Sequence, residues 1–281
     1  MTAVALSNEL RSILTRAGAE NPVGDSALII EKVLGCSHAA LVARYRDEVT
    51  DEAAASALAM AQRRASGEPI QYVLGSWSFM GREYLVGEGV LIPRDDTEVV
   101  VRAALDCMKG VPCPAVVDLC AGTGVIAVTL KEELPASSVT AVEKSAEAFA
   151  YLRRNAERIS AGVALILDDL CACADRFADH SLDLIISNPP YIPTAELPFL
   201  QSEVQFEPRM ALDGGEDGCD FYSLILNLWT PKLKSGGVIA FELGEGQFEP
   251  VAAMLTAHGY AEIRGYEDIQ GTLRAVTAFR L

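Results

Sequence analysis

Residues 184–191 read Leu-Ile-Ile-Ser-Asn-Pro-Pro-Tyr, an apolar run that ends in Asn188, Pro189, Pro190 and Tyr191. Two consecutive prolines hold an extended backbone and remove two N–H donors. The carbonyls of that stretch are left free, and their direction is fixed. Asn188 adds a side-chain oxygen acceptor and Tyr191 adds a flat face. This set suits the holding of a planar NH₂ group. Its two N–H bonds can go to the Asn188 side chain and the Pro189 carbonyl, with Pro190 stiffening the lip and Tyr191 stacking on the plane. The nitrogen of an amide or aromatic amine is a poor nucleophile because its lone pair is delocalised. Fixing both hydrogens off the plane favours a pyramidal nitrogen whose lone pair faces an electrophilic carbon. Transfer is then an in-line displacement driven by positioning and electrostatics. No strong base is required, since the proton can leave after the new bond has made the nitrogen acidic.

A second constellation lies upstream. Residues 116–127 run Val-Val-Asp-Leu-Cys-Ala-Gly-Thr-Gly-Val-Ile-Ala, a strand, a glycine turn and a helix start. Gly122 and Gly124 let the backbone approach a ligand closely, with Cys120, Ala121 and Thr123 completing the turn. Glu143 lies nineteen residues past Gly124, at the end of the next strand. An acid there can accept hydrogen bonds from both hydroxyls of a ribose. Asp169 and Leu170 follow the third strand, where a carboxylate can accept from the exocyclic amine of adenine and Leu170 can lie against the ring. The ligand is therefore a nucleoside-containing cofactor.

Gly122-x-Gly124-x-x-Ala127 also fits the dinucleotide fingerprint, which keeps NAD as a competitor. Three features favour S-adenosylmethionine. Asp118, just before the loop, can bind an ammonium, directly or through water, and would repel a diphosphate. The last two strand candidates form a terminal hairpin, typical of methyltransferase sheets. The Asn188–Tyr191 loop has no role in hydride transfer, whereas an activated methyl group gives it an electrophile. Asn188 then stands where cofactor and substrate meet.

These residues need strands to end beside one another. After Pro114 the chain alternates short apolar runs (115–119, 138–143, 164–167, 182–187, 237–243) with helical segments (125–133, 146–159, 221–233, 248–258). Such alternation predicts parallel strands with helices on both faces. Residues 260–266 and 274–280, with no helix between them, place an antiparallel strand in the sheet. The expected fold is α/β, a Rossmann-like class I methyltransferase sheet with a small all-α N-terminal domain.

Upstream of the sheet the texture differs. Apolar residues recur at helical spacing through Val4, Leu6, Leu10 and Leu14, and again through Leu28, Ile29 and Val33. Thr50 can cap an alanine-rich helix that carries Asp51 and Glu52 in its first turn and ends near Gly67. Glycines and aromatic residues over 67–94 read as a hairpin or extended connector, followed by a helix over 95–109. The expected domains are 1–75, helical and substrate-docking; 76–93, a hairpin connector; and 94–281, catalytic.

Composition narrows the partners. The formal charge of −16 disfavours duplex nucleic acid. Seven cysteines without a framework of spacings suggest reduced thiols in the cytoplasm. Cys171 and Cys173 lack a second pair to complete a metal site, so no metal is expected. Neither a leader nor a stretch of about 18 uncharged apolar residues occurs, which argues against secretion and membrane insertion.

Assembled, these residues resemble the release-factor glutamine N5-methyltransferase family over nearly the whole chain. Residues 67–75 (Gly-Glu-Pro-Ile-Gln-Tyr-Val-Leu-Gly) look like its connector. Residues 90–98 (Val-Leu-Ile-Pro-Arg-Asp-Asp-Thr-Glu) look like its entry motif. Residues 188–193 match its catalytic loop, and residues 206–215 with Asp217–Gly218 resemble the segment after it. The resemblance implies S-adenosylmethionine as donor and, as substrate, the glutamine of a Gly-Gly-Gln loop in class 1 peptide chain release factors. Asn188 and the Pro189 backbone would bind its amide, and the N-terminal domain would contact the release factor away from the loop. A monomer acting without direct nucleic-acid contact is expected. Cys120 departs from the family, which carries glycine there, so the cofactor loop is expected to be wider or strained. Arg94 and Thr97–Glu98 either shape the site or fix the domain junction.

Three rivals remain at this point. An adenine-N6 methyltransferase acting on DNA or RNA would use the same loop on a flipped base, but calls for a basic groove or a target-reading domain. A ribosomal-protein glutamine methyltransferase would share the chemistry. A non-catalytic module binding a nucleotide and a protein would have no need of an intact Asn188.

Overall fold

Runs of Val, Ile and Leu bounded by turns form the centre of one seven-stranded sheet, and everything that positions the site follows from their order. The structure, a computed structural model, describes residues 1–43, 45–159 and 162–281. It divides into two units, residues 1–76 with 201–206 and residues 77–200 with 207–281.

The first unit contains the helices α1 (Ala3–Arg16), α2 (Pro22–Leu34), α3 (His38–Ala43), α4 (Asp51–Ala65) and α5 (Ile70–Leu74). Thr50 caps α4, its Oγ1 accepting from Ala53 N at 3.2 Å, with Asp51 and Glu52 in the first turn. Leu6 and Leu10 of α1, Ile29 and Ile30 of α2, and Ala57 and Ala61 of α4 are buried together. Residues 70–74 differ from the extended connector expected of them. Ile70 and Val73, three apart, both join this helical core, and Gly75 closes the turn with φ of 74°. Arg64, 5 % exposed, donates from Nε to Asp25 Oδ2 at 2.7 Å and pairs through Nη2 with Glu203. A guanidinium so buried needs both partners.

The hairpin β1 (Ser76–Phe79) and β2 (Arg82–Leu85) follows, all but its first residue in the second unit, and then α6 (Thr97–Cys107). The sheet unit then runs β3 (Ala115–Leu119), α7 (Val125–Glu133), β4 (Ser138–Glu143), α8 (Ala146–Ile159), β5 (Val163–Leu167), the short α9 (Leu170–Cys173), β6 (Leu182–Ser187), α10 (Asp220–Trp229), β7 (Leu233–Glu242), α11 (Phe248–Ala257), β8 (Tyr260–Glu267) and β9 (Leu273–Arg280). Strand order is β5-β4-β3-β6-β7-β9-β8. The pairs β5–β4, β4–β3, β3–β6 and β6–β7 are parallel, and β9 runs antiparallel to β7 and β8. This is the Rossmann-like methyltransferase sheet with its antiparallel C-terminal strand.

Alternate residues of the central strands feed two cores. Val116, Leu184 and Ile186 join one, and Val117, Leu119 and Ile185 join the other. Trp229 is fully buried in the second core and donates from Nε1 to Leu170 O at 3.1 Å, tying α10 to the start of α9. Burying each such side chain contributes roughly 1.5–3 kcal/mol. Helix α10 ends at Trp229, short of the expected 233, because Pro231 cannot continue it and a 3₁₀ turn over Thr230–Lys232 intervenes. Strand β7 accordingly starts at Leu233, four residues before Gly237. The parallel strands end together, and the loops leaving them form the crevice in which ligands of such sheets bind.

Candidate active site

The loop after β3 turns sharply. Cys120, Gly122 and Gly124 have φ of 61°, 54° and 84°. Glycine takes these values at no steric cost. Cys120 pays of order 1 kcal/mol for the left-handed region, so the strain expected there is present. Glu143, 8 % exposed at the end of β4, locks the loop. Its Oε2 accepts from Gly122 N at 2.8 Å and its Oε1 from Ser145 N at 2.7 Å. Burial raises its pKa, and those N–H donors oppose the rise. Each oxygen keeps a lone pair for a further donor.

Asp169 begins α9, accepting from Cys171 N at 2.8 Å and pairing with Lys144 Nζ at 2.8 Å. The lysine holds the Asp169 carboxyl below its ordinary value. Asp118 is wholly buried, and its Oδ2 accepts from Ala127 N at 3.0 Å in the first turn of α7. Burial pushes its pKa well up, and its Oδ1 has no hydrogen-bond partner among the described residues.

Beyond β6 the chain is pinned from several sides. Ser187 Oγ donates to Leu119 O at 2.6 Å. Gln247 Nε2 donates to Tyr191 O at 2.9 Å, and Ile192 exchanges backbone hydrogen bonds with Leu212 and Gly214. Gly214 permits that crossing, because a Cβ on it would lie 2.7 Å from Tyr191 Cα. Asn188 Nδ2 donates to Thr97 Oγ1 at 3.3 Å. Neither Asn188 Oδ1 nor Pro189 O accepts a hydrogen bond from a described residue. The Tyr191 hydroxyl points inward and donates to Glu242 Oε1 at 3.3 Å.

One cavity of about 280 Å³ connects these parts. Cys120, Ala121, Gly122, Thr123, Glu143, Asp169, Leu170, Asn188 and Pro190 lie on its wall. Asp118, Gly124, Pro189 and Tyr191 do not. Asp118 lies beneath the loop as a cap for α7, and Gly124 forms the helix N-cap. The Tyr191 ring packs into the second core instead of offering a face to the cavity.

The structure gives the entry-motif residues their roles and adds Asn155, which the reading of motifs missed. Arg94 pairs with Glu207, whose Oε2 also accepts from Ile92 N at 2.8 Å, so residues 92–94 and 207–208 are fastened together at the cavity edge. Thr97 and Glu98 divide their labour. Thr97 faces the cavity and Asn188, while Glu98 accepts from Met80 N at 3.2 Å at the hairpin turn. Asn155, wholly buried on α8, bonds Leu85 N and O and Thr123 O, joining hairpin to cofactor loop. Their neighbours are 70 and 32 residues away, so local spacing carried no signal of them.

Comparison with known proteins agrees with this geometry. Residues 5–75 match the family model described as the PrmC N-terminal domain, and residues 100–200 match the methyltransferase small domain. A release factor glutamine methyltransferase of Geobacter sulfurreducens is 41 % identical over 95 % of this chain and 92 % of its own length. The protein of that name from Moorella thermoacetica is 36 % identical over 95 % and 94 %. The chain belongs to the release factor glutamine methyltransferase family. Among solved structures, the catalytic domain of hMettl16 in complex with a MAT2A 3′UTR hairpin has a TM-score of 0.57 at 15 % identity, covering 83 % of each chain. The precorrin-6y C5,15-methyltransferase of Geobacter metallireducens has a TM-score of 0.50 at 14 % identity, covering 70 % of this chain and 93 % of its own. Both share the fold. The family is that of an S-adenosylmethionine-dependent methyltransferase. The wall residues suit that donor: two carboxylates, Glu143 at the end of β4 and Asp169 just after β5, stand at the ends of adjacent strands, and Gly122 leaves the loop without a side chain at its tightest turn.

Proposed function

We propose that this enzyme methylates the side-chain amide nitrogen (N5) of the glutamine in the Gly-Gly-Gln loop of class 1 peptide chain release factors. S-adenosylmethionine supplies the electrophilic methyl group. Glu143 accepts from the ribose hydroxyls, Asp169 and Leu170 hold the adenine, and the backbone of residues 120–124 follows the rest of the donor. Asp118 acts from below, holding the start of α7 beneath the loop through Ala127 N. Asn188 Oδ1 and Pro189 O take the two hydrogens of the glutamine amide, Pro190 limits the rim, and Tyr191 anchors the loop. The nitrogen then presents its lone pair along the line of displacement, and its proton leaves afterwards. The helical unit docks the release factor at a distance from the reacting loop. One chain carries every residue named, so the working unit is a monomer. Its place of action is the cytoplasm, where release factors work, and nucleic acid is not contacted directly.

The carrying observation is Asn188. Its NH₂ end is tied to Thr97, and its oxygen is unbonded on the wall of the cavity that also holds Glu143. Transfer of labelled methyl to purified release factor tests the reading. Labelling is expected on the wild-type factor and absent from its Gln→Ala loop variant. Labelling that persists in that variant, or occurs on DNA alone, overturns it.

A further inference from the structure

The chain leaving the hairpin is laid along one face of α8. Glu147, Tyr151 and Asn155 recur at every fourth position of that helix, so they stand in one row. Three residues of the hairpin exit meet the row in reverse order. Leu85 is bonded by Asn155. A Cβ on Gly87 would lie 2.2 Å from the Tyr151 hydroxyl, and one on Gly89 would lie 3.0 Å from Glu147 Cβ. Gly87 is outside the left-handed region, so its missing side chain serves the close approach and not the turn. Residues 89–94 then continue as a wall of the cavity, and Glu207 fastens that wall further on by accepting from Ile92 N at 2.8 Å.

The cofactor loop rests on the same helix. A Cβ on Gly124 would lie 2.4 Å from Leu152 Cδ1. Thr123, which lies on the cavity wall, accepts through its backbone O from Asn155 Nδ2 at 2.9 Å. Asn155 therefore bonds the root of one wall and the backbone of the other, without lying on the cavity itself.

The bonds explain why this position carries an asparagine. Leu85 N donates to Oδ1 at 2.8 Å, and Nδ2 donates to Leu85 O at 3.1 Å and to Thr123 O at 2.9 Å. One acceptor and two hydrogens are needed. A carboxamide supplies that set, whereas an ionised carboxylate has no hydrogen and a hydroxyl has one. Asn155 is wholly buried, so water does not stand in for a lost partner. Resting on the reading of this cavity as the donor site, we propose that Asn155 is a positioning residue for S-adenosylmethionine. By bonding Leu85 and Thr123 at once, it sets the spacing between the wall of residues 89–94 and the loop of residues 120–124 that the donor has to fit.

Kinetics on the full-length enzyme test this. Asn155→Asp and Asn155→Ala should raise the KM for S-adenosylmethionine roughly 10- to 100-fold, the cost of leaving buried backbone groups unpaired. At saturating donor, kcat should stay within about threefold, because the Asn188 loop is untouched. Tyr260→Phe is the control for lost stability. It removes a hydroxyl bonded to Thr230 on the edge strand β8 and should leave the donor KM within about twofold. An unchanged donor KM in folded Asn155 variants, a fall in kcat at constant KM, or an equal rise in Tyr260→Phe overturns the proposal.

Hydrogen exchange on the wild type gives a reading that needs no variant to fold. Adding S-adenosylmethionine should slow exchange at Leu85 N–H together with Gly122 N–H, since Asn155 ties the hairpin exit to the cofactor loop. Protection of Gly122 without Leu85 contradicts the coupling. The donor site itself is tested apart by Glu143→Ala. Donor affinity that survives that change sinks the cavity assignment, whereas affinity lost there but kept in the Asn155 variants sinks the positioning role alone.

Discussion

The two loops that meet at the cavity are built in opposite ways. The cofactor loop is made mostly of backbone. Its turn depends on positive φ, and its lock, Glu143 on Gly122 N, joins neighbouring strands. The catalytic loop is made of side chains drawn from afar. Asn188 meets Thr97 across 91 residues and Tyr191 meets Glu242 across 51. The first arrangement binds by shape and tolerates a strained residue. The second depends on partners that only the folded sheet brings together. On the proposed roles, binding of the donor and activation of the acceptor are separable functions of one cavity.

That separation can be broken from either side. Among changes outside Asn188, the largest effect is expected of Gly214→Val. The new Cβ meets the Tyr191 backbone at 2.7 Å, where no flexible side chain can yield. A displacement of about 1 Å can cost 10²-fold in rate, so kcat should fall by about that factor or more. Cofactor affinity, read by calorimetry, should hardly change. Glu143→Ala should do the reverse, weakening S-adenosylmethionine by roughly 10- to 100-fold through lost charge-assisted hydrogen bonds and a loosened Gly122.

A pH experiment sharpens the contrast. Burial lifts the Glu242 pKa from its ordinary 4.5 to about 7. Between those values the folded protein binds a proton that the unfolded chain has released. This carboxyl therefore makes the protein less stable as pH rises from about 4.5 to about 7. Glu242→Gln should remove that part of the slope in denaturant titrations. A variant whose stability retains the full slope would show that another group carries it.

The smallest effect belongs to Cys120→Gly. Relief of the left-handed strain favours glycine, and the greater freedom of the unfolded chain opposes it. The melting midpoint should therefore move by only a few degrees, and transfer should persist. A collapse of cofactor binding would show instead that the Cys120 side chain is part of the wall's function.

The sheet was legible because its strands announce themselves. Ala115–Leu119, Ser138–Glu143 and Leu182–Ser187 are bounded by turn residues and fall where the alternation of apolar runs places them. Glycine spacing predicted the tight turn and the acid beside it, since both follow from local chain geometry. Residues 70–74 misled because their helix exists by burial of Ile70 and Val73 against distant helices. Tyr191 misled because a tyrosine beside two prolines suggests a stacking face, whereas its hydroxyl has a buried partner on β7. Glu242 carried no motif of its own, and Glu207 belonged to one that gave no sign of its pairing with Arg94. An acid in the apolar run of residues 237–243 was the only sign of Glu242 in the sequence, and it acquires meaning once β7 lies beside β6.

The most direct test is Asn188→Ala, with methyl transfer to release factor and S-adenosylmethionine affinity measured on the same preparation. Removing the acceptor should lower transfer by about 10²- to 10³-fold, the cost of one preorganised group, with affinity for the donor nearly intact. Equal loss of both, or transfer that survives, would contradict the account.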